Sequence, residues 1–315
     1  MNTKDDWSDV FCTALCREGS KSAQLAAVTV SGPGAAGLLR FSEMYPERYF
    51  DVGAKERHAV TFCADLSSDG RIPVFAVKSS ILPGWLDQVI YDVCMKDLHV
   101  IFAVSCAGLE GPDTGTYPGV FDLSYLSLMP NMTVLAPKNR WELEDMLHWA
   151  VHTGRGPAAI RYPAGTAWDG LEQFRAPVEY GRWEVLYDES DICLLAVGSM
   201  VETAYRVRDR LKRDGANCSL INCRFVRPLD EEVLRTAASE HQLLVTLEEN
   251  VQGGGFGQSV VSYLKQTGCD VEVELIALED EYIEEGCVSE LKEETGIGEE
   301  SIFRRIQTRM IGLIL

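Results

Sequence analysis

At 315 residues the chain exceeds one typical core and suits two domains of roughly 100 to 200 residues each. Hydrophobic residues make up 46% and charged residues 24%, and no apolar run reaches the ~20 residues that a membrane-spanning helix needs, so a membrane partner is not expected. Lys and Arg total 29 against 48 Asp and Glu, and a net charge of -19 repels a phosphate backbone, which argues against nucleic acid as a partner.

The N-terminus, Met1-Asn2-Thr3-Lys4-Asp5-Asp6-Trp7, lacks the basic segment and apolar stretch of a secretory signal, so a cytoplasmic location is expected. Apolar, β-rich runs then alternate with helical periods. Strands are predicted at 25–30, 49–52, 72–78, 100–105, 132–136 and 158–161. Helical segments are predicted around 9–16, 34–43, 57–66, 85–95, 121–126 and 140–152. Most of these strands are apolar throughout, as when helices cover both faces of a parallel sheet.

From 163 to 183 the pattern gives way to Gly, Pro, Ala and Trp with mixed charges, which reads as a connector. A second series follows, with strands at 192–197, 218–222, 243–247 and 273–276 and helices at 201–214, at 230–241 and after Phe256. The predicted class is α/β, with two doubly wound, mostly parallel sheet domains. Domain bounds are expected at 1–170 and 186–315, joined by a linker at 171–185.

Residues 278–300 are dense in Glu and Asp and read as a solvated acidic face around a short helix. The segment 302–315, with Arg304, Arg305 and Arg309, reads as an amphipathic helix that docks on the body or on a partner subunit.

Ten cysteines sit mostly inside apolar runs with no C-x-x-C pair, and Cys12 and Cys16 share a helical face; they are expected as reduced core residues. His99, His148, His152 and His241 are read as offering neither a catalytic triad nor metal spacing, and no metal ligand is expected from this chain. The glycine run 253–257, between a strand and a helix, has the backbone for cradling a phosphate or for a plain turn. Read alone, Glu56 between Lys55 and Arg57 is a first-turn helix acid favoured by the macrodipole.

Several stretches in order carry a family likeness. They are Arg48-Tyr49-Phe50-Asp51-Val52 with Glu56 and His58, Leu86-Asp87-Gln88-Val89, Phe121-Asp122-Leu123-Ser124-Tyr125-Leu126, Pro130-Asn131-Met132 and Ile160-Arg161-Tyr162-Pro163. The second half adds Arg224-Phe225-Val226-Arg227-Pro228-Leu229-Asp230 and Thr246-Leu247-Glu248-Glu249-Asn250, followed by Gly253-Gly254-Gly255-Phe256-Gly257. Together they resemble the C-terminal two-thirds of the 1-deoxy-D-xylulose-5-phosphate synthases and, more broadly, transketolases and the β-subunits of 2-oxo-acid dehydrogenases. The likeness runs from about residue 7 to residue 305.

The resemblance implies a pyrimidine-binding domain followed by a transketolase C-terminal domain, with thiamine diphosphate as cofactor. It implies that Glu56 hydrogen-bonds the pyrimidine ring and favours the imino tautomer that deprotonates the thiazolium, a task suited to a desolvated carboxyl group. It puts Ile81 where the family stacks a Phe on the pyrimidine and Lys78 where the family has a Tyr. On the acceptor side it places Asp113, with Tyr117 in place of a histidine, and Arg161, with Ala164 in place of a second arginine.

The family's preceding domain holds Mg²⁺ and the diphosphate through a Gly-Asp-Gly stretch and a later Asn; this sequence has no Gly-Asp-Gly and begins at Met1 near the expected start of the pyrimidine domain. The reading is therefore the C-terminal component of a split ketol transferase, not expected to act alone, whose separate partner chain supplies the Mg²⁺ and diphosphate site, in a homodimer or heterotetramer. The alternative is a degenerate paralogue with a regulatory or scaffolding role, to which Lys78, Ile81, Tyr117 and Ala164 point.

Overall fold

A computed structural model describes residues 5–53, 58–111, 118–284 and 286–314. The chain opens with α1 (Trp7–Lys21), fixed at its start by a reciprocal capping box in which Asp6 accepts from the Asp9 backbone N–H and Asp9 accepts from that of Asp6. There follow β1 (Leu25–Thr29), α2 (Gly32–Ala35), α3 (Leu39–Met44), β2 (Tyr49–Asp51), α4 (Ala59–Ser68) and β3 (Ile72–Lys78). The helix predicted over 85–95 is broken into a 3₁₀ turn (Leu82–Trp85), the short α5 (Leu86–Gln88) and a π-helical turn (Val89–Cys94). The wide turn is visible in the bond from Met95 N–H to Ile90 O. The first unit continues through β4 (Ile101–Ser105), α6 (Asp122–Ser127), β5 (Thr133–Leu135), α7 (Arg140–His152) and β6 (Ala158–Arg161).

The second series is β7 (Glu184–Tyr187), β8 (Ile192–Ala196), α8 (Met200–Arg213), β9 (Cys218–Asn222), β10 (Phe225–Arg227), α9 (Glu231–Glu240), β11 (Leu243–Val251), α10 (Phe256–Thr267), β12 (Glu272–Leu278), α11 (Val288–Glu294) and α12 (Glu299–Ile314). β7 begins at Glu184, within the stretch expected as linker.

Among the described residues the strands form two sheets, ordered β10-β5-β6-β4-β3-β1-β2 and β12-β11-β8-β9-β7. All neighbours are parallel except β10 against β5 and β7 against β9, each an antiparallel edge. The two sheets match the doubly wound α/β class that the sequence predicts. β1, β8 and β11 are buried along their whole length, so their near-continuous apolar runs follow from helices on both faces.

β10 belongs by sequence to the second half but completes the first sheet, pairing Phe225 with Leu135. The larger apolar core accordingly runs through both units, joining Val74, Phe102 and Leu135 to Leu195, Phe225 and Phe256. The other face of the second sheet closes on α8 and α12 through Val201, Leu211, Ile302 and Ile306, so the terminal amphipathic helix docks on the body. The ten cysteines are free thiols and mostly buried. Among the described residues no helix is long and apolar enough to cross a membrane.

Candidate active site

Parallel strands put all their carboxyl ends on one edge, and across the first sheet these are Arg161, Ser105, Lys78, Thr29 and Asp51 in lateral order. The chain leaves β1 toward β2 on one side and leaves β3 toward β4 on the other. The β1/β3 boundary is therefore the topological switch point, where an open α/β sheet leaves a crevice for a ligand. Lys78 and Ile81 lie at that crevice, the first as the last residue of β3 and the second just before the 3₁₀ turn.

The backbone of this segment is anchored on several sides. Ser79 N–H donates to Ser105 O at 2.8 Å, Ile81 N–H to Lys78 O at 3.0 Å, and the Tyr125 hydroxyl to Ser79 O at 3.0 Å. The side-chain hydroxyls of Ser79 and Ser80 are buried and have no hydrogen-bond partner among the described residues. Buried hydroxyls without a partner are uncommon, since each forgoes a bond it makes in water. They lie beside half-buried Ile81 just past the end of β3, and the Ser79 hydroxyl packs against Gly119, where an added Cβ would stand 2.6 Å from it. Cys106 lies in the same region in the left-handed conformation (φ 54°). Burial, with further help from Glu110, pushes its thiol up to about 12 against the opposing pull of Lys78; it is protonated at neutral pH and a poor nucleophile.

Arg161, two strands and roughly 10 Å along the edge from Lys78, is sealed at 1% exposure. Its Nε and Nη2 donate to the two carboxylate oxygens of Asp122 at 3.1 and 3.0 Å, and Nη2 also donates to Glu249 O at 3.2 Å. The sequence assigns this arginine to a substrate anion; in the fold a bidentate clamp on Asp122 uses those nitrogens, because a buried guanidinium requires a paired charge. The clamp ties the end of β6 to the start of α6 and to β11 of the second unit. Glu56, Asp113 and Tyr117 lie outside the described residues.

Glu249 stands at the same junction. Its carboxylate accepts from Leu109 N–H (2.9 Å) and the Ser199 hydroxyl (2.6 Å) and pairs with Lys292 Nζ (3.2 Å). Burial pushes its carboxyl up, but Lys292, Ser199, the Leu109 amide and Arg161 outweigh it and hold the group below its ordinary range. Gly108 makes this approach possible: its φ is +103°, and a Cβ there would fall 2.6 Å from Glu249 Cδ. Glu249 and Lys292 line an interdomain cleft of ≈ 450 Å³ with Lys138, Ser199, Trp168 and Ala164, the position where the likeness expects a second arginine.

The glycine run is filled from within. Glu248 accepts from Phe256 N–H and Gly257 N–H, both at 2.8 Å, at the start of α10. A phosphate there would have to displace a buried carboxylate. Along the sequence Glu248 and Glu249 stand only as part of a family stretch with no role assigned; two consecutive acids inside a β-rich apolar run are the signal that marks them.

Two such units, the first with a switch point between β1 and β3, define a doubly wound α/β class whose ligands lie at the strands' carboxyl edge. The family model "Transketolase, pyrimidine binding domain" matches residues 3–167 and "Transketolase, C-terminal domain" matches 181–302; the chain belongs to the transketolase family. It is 43% identical over 307 residues to 1-deoxy-D-xylulose-5-phosphate synthase of Lachnoclostridium phytofermentans, covering 97% of this chain and 49% of that protein. It is 42% identical to the synthase of Clostridium tetani, covering 96% and 49%. The chain thus spans about half the length of the curated relatives it matches. In fold it is similar to a structure titled "Split gene transketolase, inactive beta4 tetramer" (TM-score 0.85, 22% identity, 97% of this chain and 98% of that one). It is likewise similar to transketolase from Campylobacter jejuni (TM-score 0.77, 14% identity, 97% and 47%). The match is to the C-terminal part of the synthases, and the family implies thiamine diphosphate as cofactor.

Proposed function

We propose that this chain is the pyrimidine-binding and C-terminal component of a split, thiamine-diphosphate-dependent ketol transferase of the 1-deoxy-D-xylulose-5-phosphate synthase or transketolase type. A separate chain holds Mg²⁺ and the diphosphate. The observation that carries this reading is the continuous match of 97% of the chain to the C-terminal part of the synthases. The similarity in fold to a protein titled as a split-gene transketolase supports assigning the diphosphate to another chain.

The switch-point crevice is where the pyrimidine end of the cofactor would lie. Ile81 would offer it an apolar contact, and the buried, unpartnered Ser80 hydroxyl a hydrogen bond. Thiamine diphosphate, when bound, supplies a thiazolium carbon that adds to carbonyl substrates. With the cofactor bound, Glu56 would hold a proton at the pyrimidine ring nitrogen, and Asp113 and Tyr117 are assigned to the acceptor by the family likeness. Arg161 acts on the acceptor side by fixing Asp122 and the start of α6. The domains divide as 1–170 and 186–315, and the working assembly is a cytoplasmic homodimer or heterotetramer with the cofactor at a chain boundary.

The test is calorimetric titration of thiamine diphosphate and Mg²⁺ into the chain alone and into its complex with the diphosphate-binding chain. Binding is expected in the complex, and Glu56→Gln should abolish turnover there while retaining binding. Lack of binding in both settings rejects the catalytic reading. It favours the second reading, a regulatory or scaffolding subunit, to which Lys78 points by placing an ammonium group at the crevice where a cationic thiazolium ring would come close.

A further inference from the structure

We propose that Glu18, His148 and His152 form a binding site for a divalent transition metal of the zinc class, clipping α1 to α7. The three are brought together from opposite ends of the first unit. Along the sequence the histidines suggest no metal site because the third donor lies 130 residues away from His148. On α7, however, His148 and His152 are one turn apart on one face, with ring centroids separated by 4.7 Å. An i, i+4 histidine pair on a helix is a recurrent way to present two imidazoles to one metal.

α1 runs into β1 and α7 runs into β6, so both helices end at the amino edge of the sheet, opposite the crevice. Glu18 is in the last turn of α1 and its carboxylate is fully buried, whereas the His148 and His152 side chains are 53% and 32% exposed. One donor forms the floor and two form the mouth, so an ion has a path from solvent. Candidate donor atoms of all three residues lie within 4.8 Å of one another, and this is the one such His/Cys/Asp/Glu group among the described residues. Zinc donors at bonds of 2.0–2.2 Å stand about 3.3 Å apart, a contraction that exposed imidazoles achieve by small side-chain rotations.

The two carboxylate oxygens of Glu18 are already differentiated. Oε2 contacts His148 Nδ1 at 3.1 Å and His152 Nε2 at 2.7 Å. Oε1 is engaged by Lys21 Nζ at 2.9 Å, with Arg17 Nε at 3.5 Å. Oε2 is therefore the ligand atom, and Lys21 orients the carboxylate from behind in the manner of an outer-shell partner. Each imidazole enters as its neutral form, with the proton on the solvent-facing nitrogen and the other nitrogen on the metal. Glu144 pairs with Arg17 Nη1 at 3.1 Å, so the charged groups around the site, Arg17 and Lys21 against Glu18 and Glu144, balance before the ion arrives. Three protein ligands leave the outward position for water.

The experiment uses the full chain stripped with a chelator and then titrated with Zn²⁺ by calorimetry and with Co²⁺ by absorption spectroscopy. One equivalent should bind with a micromolar dissociation constant, and Co²⁺ should give visible bands of a low-coordinate nitrogen and oxygen site without thiolate charge transfer. The exposed substitutions His148→Gln and His152→Gln should each weaken binding by about tenfold or more, with the circular dichroism spectrum unchanged. Absence of binding overturns the proposal. Equal binding by the His148→Gln/His152→Gln double variant, or a thiolate band pointing to exposed Cys287, overturns it as well. Glu18→Gln is not used alone, because a buried substitution can unfold α1.

Discussion

The two sides of β11 carry consecutive glutamates with nearly identical burial and opposite acidity. Glu248 and Glu249 are each about 1% exposed. Glu248 faces the start of α10, where two backbone N–H groups pull its carboxyl down and Arg161 helps only from a distance; burial dominates and pushes it up to about 7. Glu249 faces the first unit, where Lys292, Ser199, Leu109 and Arg161 overcome the same burial. Both acids accept directed hydrogen bonds, so the difference points to the close cation, Lys292, rather than to depth or donors alone, as what keeps a buried acid charged here. It also divides the labour along one strand: one acid closes a helix start within the second unit, the other joins the units.

The largest break in that comparison comes from the charge shared between the sides. Asp122 is fully buried and accepts both clamp bonds from Arg161. Asp122→Ala leaves a buried guanidinium with only the Glu249 carbonyl and the distant carboxylates to answer it. A loss of about 3–5 kcal/mol in unfolding free energy is expected, read as a shift of the urea midpoint at pH 7. An unchanged midpoint would show that the clamp is not what couples the units.

The comparison sharpens through pH. Because the folded pKa of Glu248 lies above its unfolded value, the native state holds a proton that the unfolded state has released between about pH 4.5 and about pH 7. Its contribution to stability is therefore full below the unfolded pKa, falls as pH rises through that window, and is level above it. The amplitude is roughly 3 kcal/mol. Glu248→Gln removes this decline, so the variant should gain stability relative to the parent on going from pH 5 to pH 8. Parallel stability curves for the two proteins would rule the assignment out.

Much of the fold is legible along the chain because strands covered on both faces leave apolar runs, as at 72–78, 100–105 and 243–247. The same uniformity hides which sheet a strand joins. β10 is three residues long and antiparallel, and its partner β5 is some 90 positions earlier, so no periodicity marks its crossing to the first sheet. At the site, Lys78 and Ile81 are legible because motif order places them at the end of β3, where the switch point lies. The partners of Arg161 are not, since a basic residue at a strand end looks the same whether it meets a substrate anion or, as here, an aspartate from another element. The long reach of Glu18 to α7 escapes for the same reason. Local pattern records how deeply a residue is buried, while long-range contacts determine what it meets there.

The smallest expected effect tests the Glu249 side by taking away its cation and leaving everything else. Lys292 on α11 is 19% exposed and its ammonium lies 3.2 Å from Glu249 Oε2, first among the influences that lower this acid. Lys292→Met keeps the length and apolar stem of the side chain and removes only the charge. At pH 7 the carboxylate still accepts from Ser199 and Leu109, so the loss should be about 1.5 kcal/mol, well short of the Asp122→Ala effect. The sign with pH is opposite to that at Glu248. A depressed carboxyl contributes stability that is present above its unfolded pKa and lost as pH falls through its folded one. Without Lys292 the folded pKa rises toward the unfolded value, and the acid-side loss of stability becomes smaller and begins at higher pH. Parent and variant should therefore converge as pH falls below the ordinary carboxylate range and diverge by pH 7, as read by urea midpoints across that range. A constant gap would mean that Lys292 acts by packing on α11, and that Ser199, Leu109 and Arg161 alone keep Glu249 charged.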